Sequence, residues 1–152
     1  MIRNKQAGFT LIEIIVAFAV LAIVASIAVP GLLSQMPKWR LNGAARQVMG
    51  DLMAARMKAV KLNHRVKVFF FFVDDHQYRI CDDVNEDDIV TDLEGDVENR
   101  DIHNRYPDVT IISANDPVFS SRGTAANRTI TLQNSSGSKD IIVNITGRVR
   151  ID

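Results

Sequence analysis

The chain has 152 residues, with 18 basic and 18 acidic side chains and a hydrophobic content of 47%. This length fits one domain with an appendage, and the neutral total says little about partners because basic and acidic residues lie in different segments. Cys81 is the only cysteine, which excludes an internal disulfide and favours a buried thiol. The sequence contains no nucleophile–base motif, no glycine-rich phosphate loop and no histidine spacing typical of a metal site.

The N-terminus joins a short basic leader to an apolar segment of membrane length. Residues 1–8 carry Arg3 and Lys5, whereas residues 9–29 carry a single charged side chain, Glu13. As a helix this segment would be about 31 Å long, which matches the hydrocarbon core of a bilayer. A buried core helix is the alternative, but such helices rarely run this far without polar residues. The basic leader is expected to stay in the cytoplasm, with the rest of the chain across the membrane.

The motif G-F-T-L-I-E at residues 8–13, followed by an apolar helix and Pro30, resembles the class III signal of type IV prepilins and pseudopilins. The resemblance implies that prepilin peptidase cleaves between Gly8 and Phe9 and methylates the new amine of Phe9. It also implies a role for Glu13, because a carboxylate in hydrocarbon is costly unless it is neutralised or paired. Its natural partner is the Phe9 amine of a neighbouring subunit. A side chain that only reaches the lipid headgroups is the alternative.

An amphipathic continuation of the helix is predicted over residues 31–63, after the transmembrane segment at 9–30. Apolar residues recur there every three or four positions, which predicts a buried stripe. The stripe consists of Leu41, Ala45, Val48, Leu52, Ala55 and Ala59. A second row, at Met49, Met53 and Met57, indicates core packing or a contact within a filament rather than a cofactor site.

A globular β head is predicted over residues 64–152. The run R-V-K-V-F-F-F-F-V at 65–73 is predicted to be a strand buried on both faces, with an exposed patch for partners as the alternative. Residues 77–81 are predicted to form its hairpin partner. Five short strands follow after residue 107, separated by Gly, Asn and Ser turns. The sequence therefore predicts an α+β fold, with one long helix packed on an antiparallel sheet or a small β-sandwich.

The acidic segment 82–101 is predicted to be a loop. Asp83, Asn85, Asp87 and Glu94 fall at positions 1, 3, 5 and 12 of an EF-hand-like calcium loop. However, an aspartate stands where that motif needs glycine, and the flanks are predicted strands rather than helices. Two interpretations stay open, a weak Ca²⁺ site and a solvated acidic loop.

The end of the chain, residues 128–151, narrows the resemblance to FimT/GspH-type minor pilins and pseudopilins, in which a strand pair ends in Gly-Arg-x-Arg. Here that segment is Gly147-Arg148-Val149-Arg150. In some FimT-like members it binds DNA, which implies double-stranded DNA as a partner here. On an extended strand, Arg148 and Arg150 point to one face and can contact phosphates. The alternative is a folding role, with the arginines paired to the acidic segment.

The resemblance implies a non-enzymatic structural subunit of a type IV pilus. It would be anchored in the bacterial inner membrane with its head in the periplasm, and assembled with other pilins into a helical filament. The alternative is a GspH-like minor pseudopilin of the type II secretion system. A membrane-anchored periplasmic enzyme has no supporting motif.

Overall fold

The computed structural model describes residues 9–70, 74–85, 89–91 and 95–152. The chain divides into two compact units, Met1–Met36 and Pro37–Asp152, and the second is called the head unit below.

A single helix, α1, spans Leu11–Leu62 and contributes residues to both units. Its side chains in the first unit are exposed and almost all apolar. Within the ranges that the structure describes, α1 is the one helix long and apolar enough to cross a membrane. Aliphatic side chains without a protein partner are favoured in lipid and costly in water, so this stretch fits the predicted membrane segment.

The head-unit part of α1 buries the stripe that the sequence predicts. The buried residues are Leu41, Ala44, Ala45, Val48, Leu52, Ala55 and Ala59. Four of these seven are alanines, whose small side chains allow close packing against the sheets. The helix ends at Leu62, and Asn63 adopts the left-handed conformation that commonly follows a helix C-terminus (φ 58°).

Sheet A is antiparallel and has the strand order β3-β2-β1-β5. Its strands are β1 (Val66–Phe70), β2 (Gln77–Asp82), β3 (Glu98–Asp101) and β5 (Val118–Phe119). The predicted hairpin is confirmed, because β1 pairs with β2 and Phe70 lies opposite Tyr78.

Sheet B is also antiparallel, with the order β4-β6-β7-β8. Its strands are β4 (Thr110–Ala114), β6 (Arg128–Asn134), β7 (Gly137–Val143) and β8 (Val149–Ile151). A register irregularity interrupts β4 between Ile111 and Ser113. Strands β6 and β7 form a hairpin in which Asn134 pairs with Gly137. The predicted α+β class is therefore confirmed, with two sheets rather than one.

Two local predictions were wrong. Strand β1 is not buried on both faces: Val66, Val68 and Phe70 are buried, whereas Lys67 and Phe69 are partly exposed. This alternation is typical of an antiparallel sheet with one face on the core and the other toward water. Phe71 and Phe72 lie outside the described residues.

The second error concerns the acidic segment, whose last four residues form strand β3 rather than loop. Acidic and amide side chains disfavour strands on their own. Pairing with β2, in which Gln77 lies opposite Asp101, overrides that preference at the edge of sheet A.

The buried side chains of α1 and both sheets form one core, and all of its members lie between Leu41 and Val149. Polar contacts between α1 and sheet A lie beside this core. The buried Tyr78 hydroxyl on β2 donates a hydrogen bond to Asp51 on α1, and burial and this carboxylate raise the pKa of Tyr78 far above its usual value. Arg100 on β3 lies 3.8 Å from the same carboxylate. Because the core and these links lie entirely within the head unit, this unit contains what it needs to fold without the membrane segment.

Leu52→Ala in the isolated head unit should lower the free energy of unfolding by about 2–5 kcal/mol, because the removed methyl groups leave a cavity. Leu52 is 1% exposed, whereas Met57 on the same helix is 72% exposed. Met57→Ala is therefore the control, and it should change stability by no more than about 0.5 kcal/mol. Urea unfolding measures both variants, and equal losses would contradict the observed packing of the helix.

Candidate functional site

Arg150 lies in strand β8, at an edge of sheet B, and Arg148 directly precedes this strand. Strand β8 pairs with β7, and Arg150 lies opposite Ile142. Val149, between the arginines, is buried, whereas Arg148 and Arg150 are exposed. Burial alternates over these three residues as the sequence predicts, and the placement of both guanidinium groups on one face stays a prediction.

The side chains of Arg148 and Arg150 form no ion pair or hydrogen bond with the described part of the chain. The alternative in which they pair with the acidic segment is therefore not seen there. Two exposed cations that no described residue neutralises can bind an anionic ligand.

Lys58 on α1 contacts three carboxylates of the acidic segment. Its Nζ lies 3.4 Å from Asp82 Oδ1, 3.2 Å from Asp96 Oδ2 and 3.6 Å from Glu98 Oε1. Burial lowers the pKa of Lys58, but a hydrogen bond to Asp96 and the charges of Asp82 and Asp96 raise it more, so the pKa lies above its ordinary 10.5. This cluster connects the acidic segment to the helix.

Gly147 has a packing role in the turn before β8. It is buried, and its φ of +70° lies in the left-handed region that favours glycine. A Cβ at this position would lie 1.9 Å from the carbonyl oxygen of Gly123 and 2.9 Å from Arg56 Nε. Gly147 thus allows close backbone contact between two turns, while the exposed arginine side chains beside it offer the surface for a ligand.

Arg56 on α1 holds these two turns to the helix. Its Nε donates a hydrogen bond to the carbonyl oxygen of Gly123 at 2.8 Å, and its Nη2 donates to that of Thr146 at 3.3 Å. Charge-assisted hydrogen bonds to carbonyls are stronger than neutral ones. The sequence gives no local signal for this contact, because the partners of Arg56 lie 67 and 90 residues away. We call this contact the Arg56 junction.

A polar cavity of about 460 Å³ lies beside the junction, between the end of α1 and the turn after β5. Arg65 and Arg122 line it, and the exposed Arg122 precedes Gly123 directly. Basic side chains therefore lie near the turn before β8, which contains Gly147 and leads to Arg148.

The described residues do not assemble the hypothetical calcium site. Asp83 is buried and lines the polar cavity, and its backbone N–H donates to the Arg65 carbonyl at 2.8 Å. No group of three or more His, Cys, Asp or Glu side chains suited to a metal occurs in the described ranges. Asn85 is described, but Asp87 and Glu94 lie outside those ranges. The flanks are strands β2 and β3, and not the helices of an EF-hand.

Glu13 lies in the first turn of α1, next to the predicted processing site. The backbone N–H of Glu13 donates to Thr10 Oγ1 at 3.3 Å, so Thr10 caps the helix. Phe9 is 79% exposed, and Gly8 lies outside the described residues. The sequence T-L-I-E has the spacing of a capping box, a local signal that identifies the start of α1.

Gly147→Ala should lower the free energy of unfolding of the head unit by about 2 kcal/mol or more, because the new Cβ meets a carbonyl oxygen in a strained backbone conformation. Gly50 is the matched control, since it lies in α1 with no atom within 4 Å of an added Cβ. Gly50→Ala should raise stability by about 0.5–1 kcal/mol. Thermal unfolding of both variants tests this, and a harmless Gly147→Ala would contradict the close approach of the turns.

Two family models match the chain. Residues 3–29 match the prokaryotic N-terminal methylation motif, and residues 44–147 match the family model of the type II transport protein GspH. No curated protein matches the chain.

Two crystal forms of the Pseudomonas aeruginosa (strain PAO1) type IV minor pilin FimU are similar in structure. The P21 form is 16% identical, with a TM-score of 0.57 over 76% of this chain and 90% of FimU. The P65 form is 17% identical, with a TM-score of 0.53 over 74% and 92%. At this identity the likeness shows a shared fold. Because the GspH model spans most of the head unit, and the methylation motif precedes it, the chain belongs to the GspH family of minor pilins and pseudopilins, structural subunits that assemble with other pilins.

Proposed function

We propose that this subunit is made as a prepilin, cut by prepilin peptidase between Gly8 and Phe9, and methylated on the Phe9 amine. Residues 9–30 then anchor it in lipid of the bacterial inner membrane, and the head lies in the periplasm until assembly. The match to the methylation motif and the exposed apolar first half of α1 support this proposal. The subunit has no catalytic activity of its own in this scheme.

Glu13 sets the register of assembly in the proposed filament. Its position in the first turn of α1 keeps the carboxylate close to the level of Phe9. In a low-dielectric bundle, the carboxylate and the amine of a neighbouring subunit neutralise each other, whereas either charge alone is costly. The pair therefore favours one axial offset between subunits.

Glu13→Gln should reduce incorporation into filaments, because the amide cannot neutralise the amine. The measurement is the amount of full-length chain in sheared filaments of the producing bacterium, with its mass determined to identify a methylated Phe9 as the first residue. Thr10→Val is the matched control, since it alters the helix cap but leaves the carboxylate in place. Normal incorporation of Glu13→Gln would refute the pairing.

We further infer that the subunit belongs to a type IV pilus and that Arg148 and Arg150 bind double-stranded DNA. The observation that carries this inference is the exposure of Arg148 and Arg150 at the edge strand β8, without ion pairs in the described part of the chain. Phosphate contacts of this kind give binding without base preference. The GspH family match favours the second candidate, a subunit of the type II secretion pseudopilus.

Arg148→Gln/Arg150→Gln should abolish most DNA binding by the head unit. Two phosphate contacts predict that the logarithm of the binding constant falls with log salt at a slope of about −2, and the double variant should flatten it. Fluorescence anisotropy with a short duplex across a salt series measures this. Arg46→Gln/Arg105→Gln removes two other exposed arginines and should keep the binding. No binding by the folded wild-type head at low salt would refute DNA binding and favour the secretion pseudopilus.

A further inference from the structure

An apolar groove of about 420 Å³ runs along α1 next to the Arg148 turn. Met53, Met57 and Val60 line its helix side at spacings of four and three residues, which places them on one face of α1. Lys61 and Arg148 supply positive charge at its lining, together with Arg56, whose guanidinium is hydrogen-bonded to two carbonyl oxygens. No acidic residue is among the described residues that line it. We call this feature the methionine groove.

The apolar side chains on the helix side of the methionine groove are exposed. Met57 is 72% exposed, Val60 51% and Met53 39%, although the core stripe of the same helix is fully buried. Adjacent apolar side chains that remain in water and are bordered by charges are typical of protein interaction sites. Methionine suits such a site because its flexible side chain adapts to a partner surface.

We propose that the methionine groove docks an acidic segment with apolar side chains from a neighbouring pilin subunit. The proposal rests on assembly with other pilins and does not depend on DNA binding. Burial of the apolar side chains against a partner is favourable, because it removes them from water. The positive charges of Lys61 and Arg148 favour an acidic partner and disfavour a basic one.

Duplex DNA fits the groove less well than an acidic protein segment. Interfaces with DNA are polar and strongly cationic. Against a phosphate backbone, Met57 and Val60 would find no apolar surface to pack on, and the backbone would lose contact with water. The two proposed ligands also require different arginines. Arg148 lines the groove and Arg150 does not, whereas both are required of the DNA-binding face.

The test replaces Met57 with the photocrosslinker benzoylphenylalanine in the full-length chain, in the bacterium that makes it. After irradiation, mass spectrometry identifies the cross-linked peptides from membranes and from sheared filaments. We expect cross-links to an acidic segment of another pilin-family subunit or of a second copy. The same photocrosslinker at Thr129, exposed on β6, is the control position and should not yield these cross-links.

Charge reversal tests whether Lys61 and Arg148 attract the acidic segment. Lys61→Glu/Arg148→Glu should reduce the Met57 cross-link about tenfold, because it replaces attraction by repulsion. Arg150→Glu should leave the cross-link within about twofold, since Arg150 does not line the groove. Urea unfolding of the head unit with each reversal shows whether the fold is kept.

The proposal is overturned if Met57 cross-links to DNA, to a segment without acidic residues, or to nothing in both fractions. It is also overturned if the two reversals have equal effects while the head stays folded. The recovery of the chain in filaments from the same cells shows separately whether assembly has failed.

Discussion

The head unit depends on one face of α1, the buried stripe between Leu41 and Ala59. Burial of this face supplies the main hydrophobic contribution of the helix, and its alanines let two sheets approach the same helix. The remaining faces of the helix are then available for other tasks. One carries Lys58, which holds the acidic segment, and another carries the exposed methionines.

The Arg56 junction fixes two surface turns to this packed helix. Strand β8 has three residues and one neighbouring strand, so its own ladder fixes it weakly. The guanidinium of Arg56 reaches the turn before β8 and the turn after β5, and Gly147 lets these turns touch. Arg148 is therefore held beside the helix, where it can serve as a charge next to an apolar groove as well as a contact for an anion.

Much of the architecture could be predicted from the sequence because its signals are local. The period of α1, the hairpin of β1 and β2, and the strands after residue 107 follow from alternation and turn residues. Strand β3 could not, since its Glu, Asn, Arg and Asp side chains form a strand only because β2 lies beside them. The same limit applies to the candidate site. Exposure of Arg148 and Arg150 follows from a period of two, but the Arg56 junction joins residues that only the folded chain brings together.

The edges of both sheets have a consequence for a protein that works at high local concentration. Sheet A ends in strands of four and two residues, and sheet B ends in the irregular β4 and in β8 with its adjoining arginines. Short, interrupted or charged edges are poor templates for pairing with another chain. Heads crowded along a filament are thus protected against fusing their sheets into aggregates. Contacts between subunits can then be made by side chains rather than by pairing of strands.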